Sequence, residues 1–492
     1  MATTEPQRVA ALTAPDPLLE RLHQLEKLTA PLHPDAETRQ ALTEAAFVHA
    51  EALNDELERG VTKPTVAVGA PASAAPIGTE AHDPATVFSH LVREVDAIGH
   101  TSHAGGFFGY IPGGNLYHAA IADYLAAVSN RYTGNFLASP GAVRVENQVL
   151  AWLASVAGYP TSSAGYVASG GSLANLSAIV AAREAAGLTS AHIPRAVVYT
   201  TEQAHHCIPK GLRIAGLGEC PVRHVATDER WRMDPTALDR SIEEDVRGGL
   251  IPWLIVATAG TTDTGAVDPL DAIADVAKHR RLWLHVDGAY GGMFLLCEEG
   301  RRILRGLSRS DSVVLDPHKG LFLPYGVGAV LVKNAAAMRS AHRFEAMYVP
   351  EEIHQTEEVS PCLQSPELSR PFRALRVWLP LMLLGTRPFE AALEEKLLLA
   401  RYAHRRLSEL PGIETGPEPD LSVVVFRVSG QRDDDERNKK LERMIVEDGR
   451  VFLGGTRLNG RRWLRLAILA SRTHQADVDK AIEVIAEKSR AV

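Results

Sequence analysis

The feature that most constrains the fold is an alternation between short apolar runs and amphipathic stretches from about residue 164 onward. Helix-period stretches such as LDAIADVAKHRR (270–281) separate several of the apolar runs. The runs are AVVYTT (196–201), LIVATAG (254–260), LWLHVD (282–287), SVVLD (312–316) and VGAVLV (327–332). This alternation predicts an α/β fold with a mostly parallel central sheet flanked by helices. Ligands of such sheets bind at the carboxyl ends of the strands.

The remaining segments predict three parts of the chain. Residues 1–105 carry two helix-period stretches (16–28 and 37–57) and an Ala/Pro/Gly-rich strap (62–85), which predicts an N-terminal helical segment. Residues 106–375 hold the alternating pattern and form the large domain. VVVFRV (423–428), WLRLAIL (463–469) and the helix-like stretch 476–488 predict a small C-terminal α+β domain over 376–492.

Charge and cysteine content narrow the function classes. Lys and Arg total 52 against 60 Asp and Glu, so the net charge of -8 argues against nucleic-acid or anionic-membrane partners and favours small-molecule chemistry. The four cysteines show no CxxC pair, and no apolar run is long enough to span a bilayer. The N-terminus lacks the pattern of a signal peptide, so a cytoplasmic protein is expected.

Lys319 in DPHKG, at the end of an apolar run, raises the question of why a costly cation is placed near the core. It is either snorkelling to water or kept for its amine chemistry. Partial desolvation would lower the pKa of its amine and make it nucleophilic.

Three further features at predicted strand ends complement an anionic, aromatic aldehyde. Gly171 and Ser172 precede a helix, where free N–H groups favour a phosphate. Asp287 ends an apolar strand and would keep a pyridine nitrogen protonated. His205 and His206 follow another strand, and one of them would stack on a ring or move a proton. Alone, each has a structural alternative: a strand-terminating turn, a capping aspartate or a hydrogen-bonded loop histidine.

Together these motifs resemble a known family. ASGGSLANL, EQAH, HVDGAYGG and DPHKG, with TAGTTDTGAVDPL and ELSRPFRALRVWL, are similar to the group II amino acid decarboxylases that depend on pyridoxal phosphate, of the aspartate aminotransferase fold (type I). The likeness runs from about GGFFGYIPGG to LRLAILASRTHQADVDKAI. The resemblance implies pyridoxal 5'-phosphate as cofactor and a homodimer with active sites at the subunit interface.

The resemblance also assigns roles to single residues. Lys319 is similar to the lysine that forms the internal aldimine, Asp287 to the partner of the pyridine nitrogen, and His205 to the histidine stacked on the ring. These three form the predicted catalytic set. The other residues expected around the cofactor are Gly171, Ser172, Thr261, Ala289, Asp316 and His318. Those expected around the substrate are Phe107, Phe108, Tyr110 and Arg465. Phe107, Phe108 and Tyr110 have plain core packing as their alternative, and Arg465 a structural ion pair.

No metal is expected. His100 and His103 in HTSHAGG lie three residues apart, but no third ligand at metal spacing follows nearby.

One segment departs from the family pattern. In many of these decarboxylases a mobile loop upstream of the RRFRAL-like segment carries a tyrosine that protonates the carbanion left when CO2 departs. Residues 351–375 contain no tyrosine; an ungapped match places Pro361 there, and the nearest tyrosine is Tyr348. His205, His354 or a partner-subunit loop are the other proton donors left open.

The predicted function is therefore decarboxylation of an L-amino acid through an external aldimine and a quinonoid. Two alternatives stay open. The first is another enzyme on the same cofactor, either a decarboxylation-dependent aldehyde synthase or another carbon-bond lyase. The second is a catalytically retired binding protein. The substrate side chain is left undetermined.

Overall fold

The computed structural model describes residues 16–59, 77–343, 357–430 and 432–492. The described residues up to Gly99 form one compact unit, and those from His100 to Val492 form another. The α-helices described in the first unit are α1 (Pro17–Thr29), α2 (Ala36–Glu58) and α3 (Pro84–Leu91). Helices α1 and α2 confirm the two predicted N-terminal helices. Most of the predicted strap lies outside the described residues.

The second unit holds the alternating pattern. Its elements up to residue 343 are α4 (Tyr117–Ser129), α5 (Pro140–Ala157), β1 (Ala164–Ala168), α6 (Gly171–Ala185), β2 (Ala196–Thr200), α7 (Cys207–Ile214), β3 (Val222–His224), α8 (Pro235–Arg247), β4 (Ile251–Thr258), α9 (Leu270–Arg280), β5 (Trp283–Gly288), α10 (Glu298–Ile303), β6 (Ser312–Leu315), α11 (Pro317–Gly320), β7 (Gly328–Val332) and α12 (Ala335–Ala341). Those after residue 357 are α13 (Ala374–Leu384), α14 (Arg387–Ser408), β8 (Ile413–Thr415), β9 (Val423–Val428), α15 (Asp434–Asp448), β10 (Gly454–Leu458), β11 (Arg461–Ala467) and α16 (Gln475–Ser489).

The large sheet has the strand order β1-β7-β6-β5-β4-β2-β3 among the described residues. Strands β2 to β6 pair in parallel, and β7 runs antiparallel to both of its neighbours. The prediction of a mostly parallel sheet flanked by helices is confirmed. Because β1 and β2 to β6 point the same way, the turns that follow them meet at one edge of the sheet.

The small sheet has the order β10-β11-β9-β8 and is antiparallel throughout. Helices α14, α15 and α16 cover it, and Val424, Phe426, Leu464 and Leu466 are buried between them. This region matches the predicted small α+β domain; its boundary near residue 375 stays a prediction. No helix within the described ranges is both long and apolar enough to cross a bilayer.

A buried ion pair holds the end of β1 that leads into the glycine-rich turn. The guanidinium of Arg370 lies 2.7 Å from Glu146 Oε1, and both side chains are fully buried. Glu146 Oε1 accepts the N–H of Val167, and Arg370 Nη2 donates to the carbonyl of Val167. The SRPFRAL motif is thereby tied to strand β1.

We expect Glu146→Gln to lower the free energy of unfolding by about 3 kcal/mol, because it leaves a buried guanidinium without its counter-charge. Glu357→Gln is the matched control, since Glu357 pairs with Arg144 at 2.9 Å with both side chains largely exposed. The control should cost less than about 1 kcal/mol. Urea unfolding of both variants measures the difference, and equal losses would contradict a special role for the buried pair.

Candidate active site

A cavity of about 270 Å³ lies at the carboxyl edge of the large sheet, where the turns after β1, β2, β4, β5 and β6 converge. Eight of the nine residues predicted around the cofactor line it: Gly171, Ser172, His205, Asp287, Ala289, Asp316, His318 and Lys319. The ninth, Thr261, is buried in the turn after β4, where its hydroxyl lies 2.7 Å from Thr264 Oγ1. Its neighbours Gly260 and Thr262 line the cavity instead.

The glycine-rich turn after β1 forms one wall. Gly170 has a φ of +151°, a conformation that favours glycine, and α6 begins at Gly171 without a side-chain cap. A Cβ at Gly171 would lie 2.9 Å from Asp316 Oδ2 and 3.1 Å from the Cβ of Ala289. Small residues therefore keep this wall open, and the first N–H groups of α6 are suited to an anion.

Lys319 and Asp316 form an ion pair in the cavity. Asp316 directly follows β6, and Lys319 Nζ lies 3.2 Å from its Oδ2. Desolvation lowers the pKa of Lys319, but Asp316 and Asp287 outweigh it and raise the pKa above its ordinary value. Burial alone predicts a lowered pKa for Lys319, but the carboxylate of Asp316, three residues earlier, reverses the direction of this pKa shift.

His205 lines the cavity, whereas His206 is exposed. The N–H of Cys207 donates to His205 Nδ1 at 3.2 Å, so Nδ1 carries no proton and a neutral ring holds its proton on Nε2. Burial also lowers the pKa of His205, which favours that neutral form.

Asp287 is buried at the end of β5, where its Oδ1 accepts the N–H of Ala289 at 3.1 Å. His285, two residues earlier, lies on the same side of the strand. Its Nε2 lies 2.7 Å from Asn175 Oδ1, and its Nδ1 lies 2.9 Å from Ser312 Oγ. Burial lowers the pKa of His285 to about 4.

Asn175 and Cys207 also line the cavity and were not predicted. The amide of Asn175 donates to Cys207 Sγ at 3.4 Å, so a hydrogen-bonded chain runs from the cavity wall through Asn175 and His285 into the core. The period-2 pattern of LWLHVD could have indicated His285, since it places His285 and Asp287 on one face.

The residues predicted around the substrate separate in the structure. Phe108 is fully buried in the core of the small sheet, and Phe107 is buried against Phe452, with ring centroids 4.9 Å apart. Neither lines the cofactor cavity or the second cavity described next. Tyr110 is 67% exposed and has a φ of +50°.

A second cavity of about 630 Å³ is lined by Tyr110, Phe452 and Arg465 among other residues. Arg465 is buried on β11, and its Nη1 donates to the carbonyl of Thr262 at 2.8 Å. Because Thr262 also lines the cofactor cavity, Arg465 connects the two cavities. Phe452 could not be found from sequence, since it reaches Phe107 across more than 300 residues.

The segment matched to the family's mobile loop is packed rather than free at Pro361. Pro361 is buried and begins a short 3₁₀ turn, and the N–H of Cys362 donates to the carbonyl of Gly134 at 3.0 Å. The hydroxyl of Ser360 accepts the N–H of Phe136. Tyr348 and His354 lie outside the described residues.

The chain is similar to known proteins in sequence and in fold. The sequence profile of the pyridoxal-dependent decarboxylase conserved domain matches residues 73–429. Aromatic-L-amino-acid decarboxylase from Bacillus atrophaeus is 35% identical over 80% of this chain and 82% of its own. Phenylacetaldehyde synthase from Arabidopsis thaliana is 28% identical over 78% and 81%. The crystal structure of Oryza sativa TDC with PLP and tryptamine superposes with a TM-score of 0.88 at 26% identity, over 93% of this chain and 99% of that one.

The fold and the cavity define an enzyme of the type I fold that depends on pyridoxal phosphate. The chain belongs to the pyridoxal-dependent decarboxylase family and is a carboxy-lyase of that class.

The residues present fit this cofactor. The uncapped start of α6 suits its phosphate, the buried Asp287 carboxylate suits a protonated ring nitrogen, and Lys319 provides an amine in the same cavity. The buried Asp316 Oδ1 has no hydrogen-bond partner within the described residues, so a polar group brought into the cavity has an atom to meet.

Proposed function

We propose that this protein decarboxylates aromatic L-amino acids. The observation that carries the proposal is the convergence of Lys319, Asp287 and His205 in one cavity beside the glycine-rich turn. The substrate class is supported by the aromatic relatives and by the aromatic side chains of Tyr110 and Phe452 on the adjoining cavity. A retired binding protein would need no such convergence of catalytic groups.

Each residue has a stated role in this proposal. When bound, pyridoxal phosphate supplies an aldehyde that condenses with amines and a ring that accepts electrons from the substrate Cα as CO2 leaves. Lys319 would hold the cofactor through Nζ. The start of α6 and Ser172 would bind the phosphate, and Asp287 would keep a proton on the ring nitrogen. Ala289 would leave room for the ring, and His205 would contact it.

The substrate must be held so that its Cα–carboxylate bond stands perpendicular to the ring, because only then does the breaking bond overlap with the ring electrons. Arg465 is proposed to help orient the carboxylate or the side chain from the adjoining cavity. His205, with its proton on Nε2, can also move a proton near Cα.

The substrate class is tested by measuring kcat/KM for a panel of L-amino acids with the purified protein and pyridoxal phosphate. We expect phenylalanine, tyrosine or tryptophan to exceed glutamate and cysteine sulfinate by at least ~10²-fold, the scale that a side-chain pocket supplies. A preference for an acidic side chain would overturn the proposed substrate class while leaving the decarboxylation itself in place.

The product depends on how quickly Cα receives its proton. If protonation is slow, dioxygen oxidises this carbon, and aldehyde, ammonia and hydrogen peroxide appear in place of the amine. Pro361 stands at the position matched to the family's tyrosine, and the nearest tyrosine in the sequence is Tyr348, which we propose as the proton donor. We propose amine as the main product. The similarity to phenylacetaldehyde synthase makes aldehyde the alternative product.

We therefore expect Tyr348→Phe to lower amine formation by ~10²-fold, the scale of a lost general acid, and to raise oxygen uptake. Tyr402→Phe is the control, since Tyr402 is half-buried in the small domain and bonds Asp479. Amine, aldehyde and oxygen are measured in one aerobic reaction. Unchanged product ratios in Tyr348→Phe would assign protonation to another group, with His205 first in line.

A homodimer with active sites at the interface is also proposed, and a cytoplasmic location. All four cysteines are free and buried, which fits a reducing compartment.

Helix α1 buries none of its residues, although Leu18, Leu22, Leu25 and Leu28 recur on one face. Because an exposed apolar face marks an interaction site, we propose that a second copy of the chain covers it.

We expect Leu22→Glu to shift the protein from dimer to monomer, because it places a carboxylate in the apolar face of α1. His23→Glu places a carboxylate on the opposite side of the helix, where His23 is exposed, and should leave the dimer intact. Light scattering after size exclusion gives the mass of each variant. A monomeric parent protein, or a dimeric Leu22→Glu, would contradict this interface.

A further inference from the structure

Four side chains from β5, β6 and α6 form one hydrogen-bonded chain that ends at the cofactor cavity. Trp283 Nε1 donates to Ser312 Oγ at 2.9 Å, and the same oxygen lies 2.9 Å from His285 Nδ1. His285 Nε2 lies 2.7 Å from Oδ1 of Asn175, which lines the cavity. Ser312, His285 and Asn175 are fully buried, so each polar atom depends on its protein partner.

The direction of this chain is fixed at its inner end. An indole N–H can only donate, so the Ser312 oxygen accepts from Trp283 and the Ser312 proton is left for His285 Nδ1. Burial lowers the pKa of His285 to about 4, although Asp287 on the same strand opposes this shift. The ring is therefore neutral near neutral pH, and its proton lies on Nε2. Nε2 then donates to Asn175, whose amide can accept only through Oδ1.

The opposite direction leaves a buried proton unpaired. If Nδ1 carried the ring proton, Nδ1 and Trp283 would both donate to Ser312 Oγ. The Ser312 hydroxyl proton would then have no acceptor among the described residues. An unpaired buried donor is costly, so the first direction is favoured.

This direction decides which side of the Asn175 amide faces the cavity. His285 holds Oδ1, and Nδ2 donates one of its two hydrogens to Cys207 Sγ at 3.4 Å. The second hydrogen has no acceptor among the described residues and is left for the cavity. The carboxylates of Asp287 and Asp316 line this cavity, and the cofactor would add a phosphate and a ring oxygen. An N–H attracts such acceptors, whereas a carbonyl oxygen in its place would repel them.

We propose that Trp283, Ser312 and His285 form a positioning chain that holds the amide of Asn175 with its N–H groups toward the cofactor cavity. The first three residues are not among the described residues that line the cavity, so they act on it through Asn175. The inference rests on the proposed cofactor site and on no step of the reaction.

The tautomer of His285 tests the direction of the chain without cofactor. Nuclear magnetic resonance of full-length protein, isotopically labelled at its histidine ring nitrogens, is compared with His285→Gln, which identifies the His285 signals. We expect a neutral ring with its proton on Nε2. Trp283→Phe removes the donor that fixes the direction, so it should move this proton toward Nδ1 in part of the molecules and identifies the same signals independently. A parent protein with the proton on Nδ1, or on both nitrogens, would overturn the inference.

The affinity of cofactor-free protein for pyridoxal phosphate tests what the orientation does. Glutamine at position 285 keeps an N–H that can donate to Asn175, whereas leucine does not. We expect His285→Leu to weaken binding about tenfold, the scale of one misplaced buried hydrogen bond, and His285→Gln to recover most of this loss. His404→Leu is the control and should match the parent, because His404 bonds the carbonyl of Gly416 and does not line the cavity.

Two outcomes of the affinity measurement would contradict the positioning role. One is an unchanged affinity in His285→Leu, and the other is an equal loss in the glutamine and leucine variants, which indicates packing alone. Release of CO2 by the parent is measured separately. A parent with the expected tautomer and affinities that releases no CO2 would overturn the proposed function and leave this inference in place.

Discussion

Lys319→Ala is expected to abolish decarboxylation while the protein still folds and binds pyridoxal phosphate without a covalent bond. The turn before α6, Asp287 and His205 line the same cavity and are proposed to supply the phosphate and ring contacts, so we expect these contacts to survive the substitution. Turnover should fall by roughly 10³-fold or more, the scale seen when a nucleophile that acts within a unit is removed.

The measurement is borohydride reduction of the cofactor-loaded protein followed by mass spectrometry of its peptides. The parent should carry one cofactor, on the peptide of Lys319, and Lys319→Ala none. Lys333→Ala is the control, because Lys333 Nζ bonds the carbonyl of Ser308 and does not line the cavity. A fully labelled Lys319→Ala protein would assign the covalent bond to another lysine.

Asp287→Asn has the second largest expected effect. The amide keeps the shape of the carboxylate but loses the charge that is proposed to keep a proton on the ring nitrogen, so we expect the ring to become a weaker electron acceptor. Loss of one preorganised charge in a buried site typically costs ~3–4 kcal/mol of transition-state stabilisation, or about 10²–10³-fold in kcat.

Single-turnover kinetics with saturating cofactor isolate this effect from weaker binding. The substitution should lower kcat far more than it raises KM, because the charge acts on the reacting bond. Asp311→Asn is the control, because Asp311 accepts the N–H of Leu284 and does not line the cavity. An Asp287→Asn enzyme within a fewfold of the parent would show that the ring nitrogen is held by a different group.

Sequence could predict the cofactor cavity because parallel strands present their carboxyl ends at one edge. Gly171, Asp287 and Lys319 each lie at or just after the carboxyl end of a different strand, so the strand pattern alone brings them together. The strands β2, β4, β5, β6 and β7 were each predicted within a few residues of where they lie. Their apolar runs are buried on both faces and are therefore easy to recognise.

The surroundings of the substrate could not be predicted in the same way. Phe107 and Phe108 are adjacent in sequence, yet Phe107 packs on Phe452 and Phe108 joins the core beneath the small sheet. Both contacts join segments more than 300 residues apart, and no local pattern encodes them. The pKa of Lys319 was predicted to fall and is instead raised, because Asp316 lies one helical turn away with its Oδ2 at 3.2 Å from Nζ.

Release of labelled CO2 from an aromatic L-amino acid tests the central claim most directly. The protein is loaded with pyridoxal phosphate and incubated with L-phenylalanine, L-tyrosine and L-tryptophan, each labelled at the carboxyl carbon. We expect at least one of them to release labelled CO2 in repeated turnovers, and Lys319→Ala to release none above background. No CO2 from any of the three, with cofactor demonstrably bound at Lys319, would contradict it.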